Sequence, residues 1–236
     1  MPGHRINALG QPVGLPVAGK FPRPAPPRAP MQGRFCRVVP LDVNAHAPGL
    51  FRAFAADTDG RNWTYLPYGP FDSLAGFATW LAQTCTGDDP LFHTVLDQGG
   101  QPVGMASYLR IDRNAGAIEV GHIHFSPLMQ RTPVATETMF LMMRRVFDEL
   151  GYRRYEWKCD ALNAQSRRAA ERLGFVFEGE FRQATHYKAR NRDTAWFSII
   201  DTEWPRIRQA FETWLSPENF DATGQQRKPL TARSES

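Results

Sequence analysis

No apolar run in this chain approaches the roughly 18 residues of a membrane-crossing helix, and the first residues lack the charged-then-apolar order of an export signal. Neither a helical membrane span nor an exported product is expected. Cysteine is scarce. Cys36, Cys85 and Cys159 are widely spaced, odd in number and in no metal-ligand pattern. That argues against a disulfide scaffold and a metal site, and for reduced thiols in a cytoplasmic protein. Charge of one sign is also thin. The net charge is +4, and no block of five basic residues occurs, so nucleic acid is not an expected partner. No internal repeat is visible.

What is present suits one α/β domain. A chain of 236 residues with 42% apolar content can bury a sizeable core. Residues 1–32 stand apart, because Pro22, Pro24, Pro26, Pro27 and Pro30 crowd one segment that offers no packed face. An extended arm is expected there, able to trail as a leader or to strap across the body or a partner subunit of a homodimer. A domain over residues 33–202 follows, then a C-terminal helix and tail over 203–236.

Apolar periodicity and turn residues predict the elements. A strand over 35–41 and a helix over 45–57 come first, then a loop over 57–70 carrying Trp63, Tyr65 and Tyr68. Aromatic rings in a long loop either plug the end of a core or line a pocket. A helix over 74–85 is followed by strands over 91–97, 102–111 and 117–125. Thr132-Pro133 opens a long helix, Thr as its cap and Pro at its first position. Beyond it come a strand over 153–159, a helix over 167–173 capped by Gly174, and a strand over 175–187. A polar turn over 188–193, a strand over 194–201 and a helix from Trp204 close the order, and a polar tail is expected on the surface.

The stretch from Ala117 to the long helix organises the rest. A strand feeding a loop that opens a helix makes an anion site, since the first amides of the helix are unpaired and its dipole is positive there. Arg131 stands at that mouth with a side chain suited to phosphate.

Three motifs then carry a resemblance. Gln130-Arg131-Thr132-Pro133-Val134-Ala135 is similar to the Gln/Arg-x-x-Gly-x-Gly/Ala pyrophosphate loop of the GNAT superfamily. Asn163-x-x-Ser166 with Gly174-Phe175, and Glu178-Gly179-x-x-Arg182-Gln183-Ala184, resemble the branch of ribosomal-protein N-terminal acetyltransferases. The resemblance implies a mixed, mostly antiparallel sheet flanked by helices and splayed between its fourth and fifth strands. It implies an acyl-CoA-dependent N-acyltransferase using acetyl-CoA, without a metal, on a protein N-terminus or small amine. A non-catalytic acyl-CoA-binding module is the alternative.

Residue by residue, the resemblance puts pantetheine against the backbone of Ile123 and Phe125, with their neighbours up to Ser126. It puts the pyrophosphate against Gln130, Arg131, Thr132, Val134 and Ala135. Pro133 departs from the pattern, where it removes one N–H donor. Asn163 would meet the pantetheine amides. The tyrosine acid of many relatives is absent, its position being Ala170, so Ser166 is the candidate donor to the departing thiolate, unless it simply caps the following helix. The base is open. Relatives place an acidic residue where Thr185 stands here, beside His186, or on the key strand. Glu119 and His122 are candidates on that strand, and a histidine titrates in the useful range. His124 and Arg182 are candidates for meeting the acceptor, with Trp63, Tyr65 and Tyr68. Strand alternation puts His122 and His124 on one face and Glu119 on the other, unless a bulge intervenes.

Overall fold

In the computed structural model, which describes residues 3–232, ten strands and five α-helices alternate. Strands β1 (His4–Ile6) and β2 (Pro12–Gly14) pair only with each other. The main sheet begins with β3 (Met31–Gln32) and β4 (Cys36–Pro40). Helix α1 (Val43–Phe54) starts where the Asp42 side chain accepts from the Ala45 amide at 3.0 Å. Helix α2 (Leu74–Thr84) starts where Ser73 does the same for Gly76 at 3.1 Å. The three strands β5 (Leu91–Asp97), β6 (Pro102–Asp112) and β7 (Ala117–Phe125) form a meander. Then come α3 (Pro133–Arg144), β8 (Arg154–Asp160), α4 (Ala164–Arg172), β9 (Val176–Tyr187), β10 (Arg190–Ile200) and α5 (Trp204–Leu215).

The sheet order is β3-β4-β5-β6-β7-β8-β10-β9, antiparallel throughout except for the parallel pair β7 and β8. That pair meets only from Ala117 opposite Arg154 to Val120 opposite Trp157. Beyond Val120 and Trp157 the two strands diverge, which is the expected splay; counted from β4, they are the fourth and fifth strands across the sheet.

Each face of the sheet has its own core. Helices α3, α4 and α5 cover one face, where Phe140, Phe147, Trp204 and Phe211 pack with Tyr155 and Phe197. Phe140 stacks on Phe211 with ring centroids 5.4 Å apart. Helices α1 and α2 cover part of the other face through Phe54, Trp63, Phe77, Leu81, Phe92 and Met105. Burying such side chains contributes about 1.5–3 kcal/mol each, which is what holds both helical layers on the sheet.

One alternative left open by the sequence is decided, and three expectations differ for clear causes. Over residues 21–32 the arm straps across the body. Arg23 and Arg113 exchange main-chain and side-chain bonds, and the Tyr152 hydroxyl donates to the Pro24 carbonyl at 3.0 Å. Proline-rich backbone offers carbonyls freely, and the body supplies the donors. Strand β10 starts at Arg190, not at residue 194. The turn is only Lys188-Ala189, both left-handed with φ of 48° and 56°, a tight hairpin bend that the charged sequence disguises. Helix α4 starts at Ala164, with Asn163 rather than Ser166 as its cap: the Asn163 side-chain oxygen accepts from the Ser166 amide at 3.0 Å. The polar tail buries Leu230 and Ala232, and Arg206 donates to the Ala232 carbonyl at 2.8 Å.

Candidate active site

The key strand carries a bulge. Across from β6, Gly121 faces Ser107 and His124 faces Met105, so His122 and Ile123 together oppose Ala106 alone. His122 takes up the extra residue with a left-handed φ of 49°. The slip cancels the alternation, so Glu119 does not face away from the histidines, as strict alternation had it. Glu119, His122 and His124 all face the α1/α2 side: Glu119 lies beside Gly121, His122 packs on Phe92, and His124 on Phe54. On the β8 side the backbone of Gly121–Phe125 has no partner strand. The main-chain groups of Ile123 therefore face an open slot, and so does the Phe125 amide, while the Phe125 carbonyl is taken by the loop that follows.

At the top of the slot the loop into α3 is built to leave donors free. The Gln130 side-chain amide donates to the Phe125 carbonyl at 2.8 Å, and the Thr132 hydroxyl donates to the Met129 carbonyl at 2.7 Å. The helix begins at Pro133 with no side-chain cap bond, so the amides of Val134 and Ala135 start it without intrahelical acceptors. Arg131 is exposed beside them with φ of 61°. A second cation, overlooked in the sequence, stands there too. Arg172 of α4 reaches the Thr136 hydroxyl at 3.1 Å. Its place in a helix of ordinary polar composition gave no signal of that approach.

On the β8 lip, the Trp157 indole donates to the Ser166 hydroxyl at 2.9 Å, which fixes the serine oxygen and leaves its own proton to donate elsewhere. Asn163 spends its carbonyl on the helix cap and keeps its side-chain N–H groups.

The acceptor side divides the expected residues. Trp63 is buried at the centre of the aromatic cluster, and His124 is 2% exposed, stacked on Phe54 at 3.9 Å and edge-on to Trp63. Burial pushes the His124 imidazole down to about 3, and neither ring nitrogen has a partner in the core. These two residues are core, not lining, which corrects their assignment to the acceptor. Tyr68 shares its hydroxyl with His122 Nδ1 at 3.2 Å. Burial, with the charge of Arg110 added, pushes His122 down to about 4. Tyr65 lies at the rim, its hydroxyl donating to the Leu162 carbonyl at 3.2 Å. Arg182 stands on exposed β9 and makes no ion pair among the described residues. Glu119 is closed in, 4% exposed at its side chain, with Lys158 at 2.9 Å and Arg110 at 2.8 Å. Lys158 also meets Glu156 at 2.8 Å and lies over the Trp196 ring at 3.7 Å. Among the described residues no group of His, Cys, Asp and Glu side chains is placed to hold a metal, and no helix is long and apolar enough to cross a membrane.

A splayed parallel pair, an uncapped helix start with an arginine beside it, and an asparagine-capped helix on the far lip are the parts that GNAT acetyltransferases assemble around coenzyme A. The acetyltransferase (GNAT) domain model matches residues 37–176, more than half of the chain. The chain belongs to the GNAT acetyltransferase family, whose members use acetyl-CoA, and this places it among acyl-CoA-dependent N-acetyltransferases in general. It is similar to a solved GCN5-related N-acetyltransferase from Brucella melitensis, at 50% identity and a TM-score of 0.87 over 89% of this chain and 95% of that one. A structure from Chromobacterium violaceum ATCC 12472, described as one of its probable acetyltransferases (GNAT family), matches at 44% identity and a TM-score of 0.77 over 83% of this chain and 98% of that one. The microcin C7 self-immunity acetyltransferase MccE, solved with acetyl-CoA and AMP, shares the fold at 16% identity and a TM-score of 0.62, over 71% of this chain and 93% of that one. No curated protein matches.

Proposed function

We propose that this chain transfers an acetyl group from acetyl-CoA to a primary amine by direct attack. The observation that carries the reading is the open slot between β7 and β8, with free main-chain groups on one lip and an uncapped helix start at its top. The diphosphate lies against the amides of Val134 and Ala135, with Arg131 and Arg172 supplying charge and Gln130 and Thr132 holding the loop in shape. Pantetheine runs along Ile123 and Phe125 and meets the Asn163 amide. The bulged backbone of β7 points N–H groups at the thioester oxygen, where negative charge develops on attack. Ser166, oriented by Trp157, donates to the leaving sulfur. A thiol with an ordinary pKa of roughly 8.5 needs little more help.

The base is where the earlier candidates weaken. His122 is held neutral by burial, so it offers little charge to an ammonium, and Glu119 is already taken by Lys158 and Arg110. Positioning and oxyanion-type stabilisation then carry most of the rate. The test is a thiol-release assay with acetyl-CoA and a panel of amines, from peptides to small amines. Release that depends on the amine supports the transferase; tight coenzyme binding with no release on any amine makes the chain a coenzyme-binding module instead.

A further inference from the structure

Beside the slot, the α1/α2 side of the sheet carries a carboxylate with no ion-pair partner among the described residues. Asp160 ends β8. It lies three residues beyond Trp157, as Ile123 lies three beyond Val120, and Val120 and Trp157 are the last pair before the strands part. Asp160 therefore sits on the far lip at the level of the bulged backbone. Alternation along β8 puts it on the face of Lys158 and Glu156, the one opposite α3 and α4. The residue is 6% exposed; one carboxylate oxygen accepts from the Leu162 amide at 2.9 Å and the other from the Tyr187 hydroxyl at 2.7 Å.

The groups around it that lack a carboxylate partner are cations. Arg190 and Arg192 of β10 lie near the Tyr187 ring, their guanidinium carbons 5.2 and 5.9 Å from its centroid, and Arg190 also donates to the Thr64 carbonyl. Lys158 lies on its own strand, paired with Glu119 and Glu156, and Arg167 of α4 reaches the Ala161 carbonyl at 3.2 Å and pairs with Glu180. Tyr65 closes the loop side through Leu162, and His122, neutral, stands on the opposite lip. A simple cationic amine gains little in such company. An amine that also carries a negative group fits both ends. We propose that Asp160, Tyr187 and Arg192 form the acceptor subsite, and that it takes a dipolar amine, with the ammonium on Asp160 and a carboxylate or phosphate on Arg192 and Arg190.

This rests on the acetyl transfer proposed above and gives it a base. The ammonium nitrogen takes the place of the Tyr187 hydroxyl and passes one proton to the Asp160 carboxylate. The neutral nitrogen attacks the thioester carbon, forming the C–N bond; the C–S bond breaks, the thiolate takes the second proton from nitrogen, and Asp160 releases the first to water. Amide, free thiol and one proton leave.

The experiment compares an amino acid with its own amide as acceptors, on the full chain, and measures kcat/KM for each and acetyl-CoA affinity by calorimetry. The wild type is expected to prefer the amino acid by tenfold or more, and Arg192→Gln to reduce that preference to near unity. Asp160→Asn is expected to raise KM for the amine while leaving acetyl-CoA affinity unchanged, with the loss shrinking as pH rises and the amine arrives uncharged. Tyr187→Phe, the milder variant that keeps the Asp160 carboxylate, should change KM for the amine far less than Asp160→Asn does. Equal rates on amino acid and amide, or an Asp160→Asn deficit that is flat with pH, would overturn the subsite while leaving acetyl transfer intact. A wild-type chain that binds acetyl-CoA and acetylates nothing would overturn both.

Discussion

The buried histidines show how much one side chain decides here. His93 and His122 are pushed down to about 4 and His124 to about 3, each mainly by burial. The unfolded chain binds protons at these sites below its usual value of 6.5, and the folded chain does not. Their folded pKa values are depressed, so the stability they contribute is complete above that value and is lost as pH falls through it toward 4 and 3. Each unit of the interval costs about 1.4 kcal/mol per histidine. The urea midpoint should therefore drop steeply between about pH 6.5 and pH 4. His124→Phe should flatten that drop and leave acetyl transfer within about twofold, because the ring is core and Phe suits its stack with Phe54. A collapse of activity in that variant would restore His124 to the acceptor site. At the coenzyme end, Arg131→Ala should weaken acetyl-CoA several-fold by calorimetry; an unchanged affinity would remove the arginine from the diphosphate. Glu137 is a different kind of residue. Its buried carboxylate accepts from the amides of Arg34, Phe35 and Cys36 at 2.8, 2.6 and 2.9 Å. Glu137→Gln should cost about 1–3 kcal/mol in a denaturant melt without changing coenzyme affinity.

At the scale of elements, the sequence was legible where its punctuation is chemical. Gly116 and Pro127 bracket β7, and Thr132-Pro133 marks the start of α3, so both elements sit where they were expected. The rest was hidden for physical reasons. A bulge adds one residue to a strand without changing its composition, so periodicity could not place Glu119 with the histidines. The turn Lys188-Ala189 carries none of the glycine or asparagine usual at left-handed positions. Arg190–Asp193 therefore looked like loop, although β9 pairs with it from Tyr187 onward. Asp160 is hidden for a related reason: the expected strand stops at Cys159, and β8 runs one residue further. The left-handed turn makes a prediction. Ala189→Gly should relieve the strained backbone and raise stability by about 0.5–1 kcal/mol in a thermal melt, with Lys188 left to hold the Trp63 carbonyl at 2.8 Å. A lower melting temperature would mean that the turn is not strained.

The molecule as a whole is long-range in its ties, and the arm is the clearest case. Arg145, 5% exposed, donates to the carbonyls of Ala29 and Pro30 at 2.5 and 3.0 Å, so the end of the long central helix is sealed by the proline-rich arm. These contacts gather at the β6–β7 turn and the C-terminal end of α3, the far end of the sheet from the diphosphate loop. Removing residues 1–30 should cost several kcal/mol, by stranding a buried guanidinium, and leave acetyl-CoA affinity alone. Loss of affinity in a folded truncation would contradict that separation. The same seal sets an order of events during synthesis. Pro24 and Ala29 leave the ribosome long before their partners Tyr152 and Arg145, more than a hundred positions later. The berth for the leader does not exist until most of the sheet has been made. The proline-rich segment is thus translated before its partners and finds its place only after them.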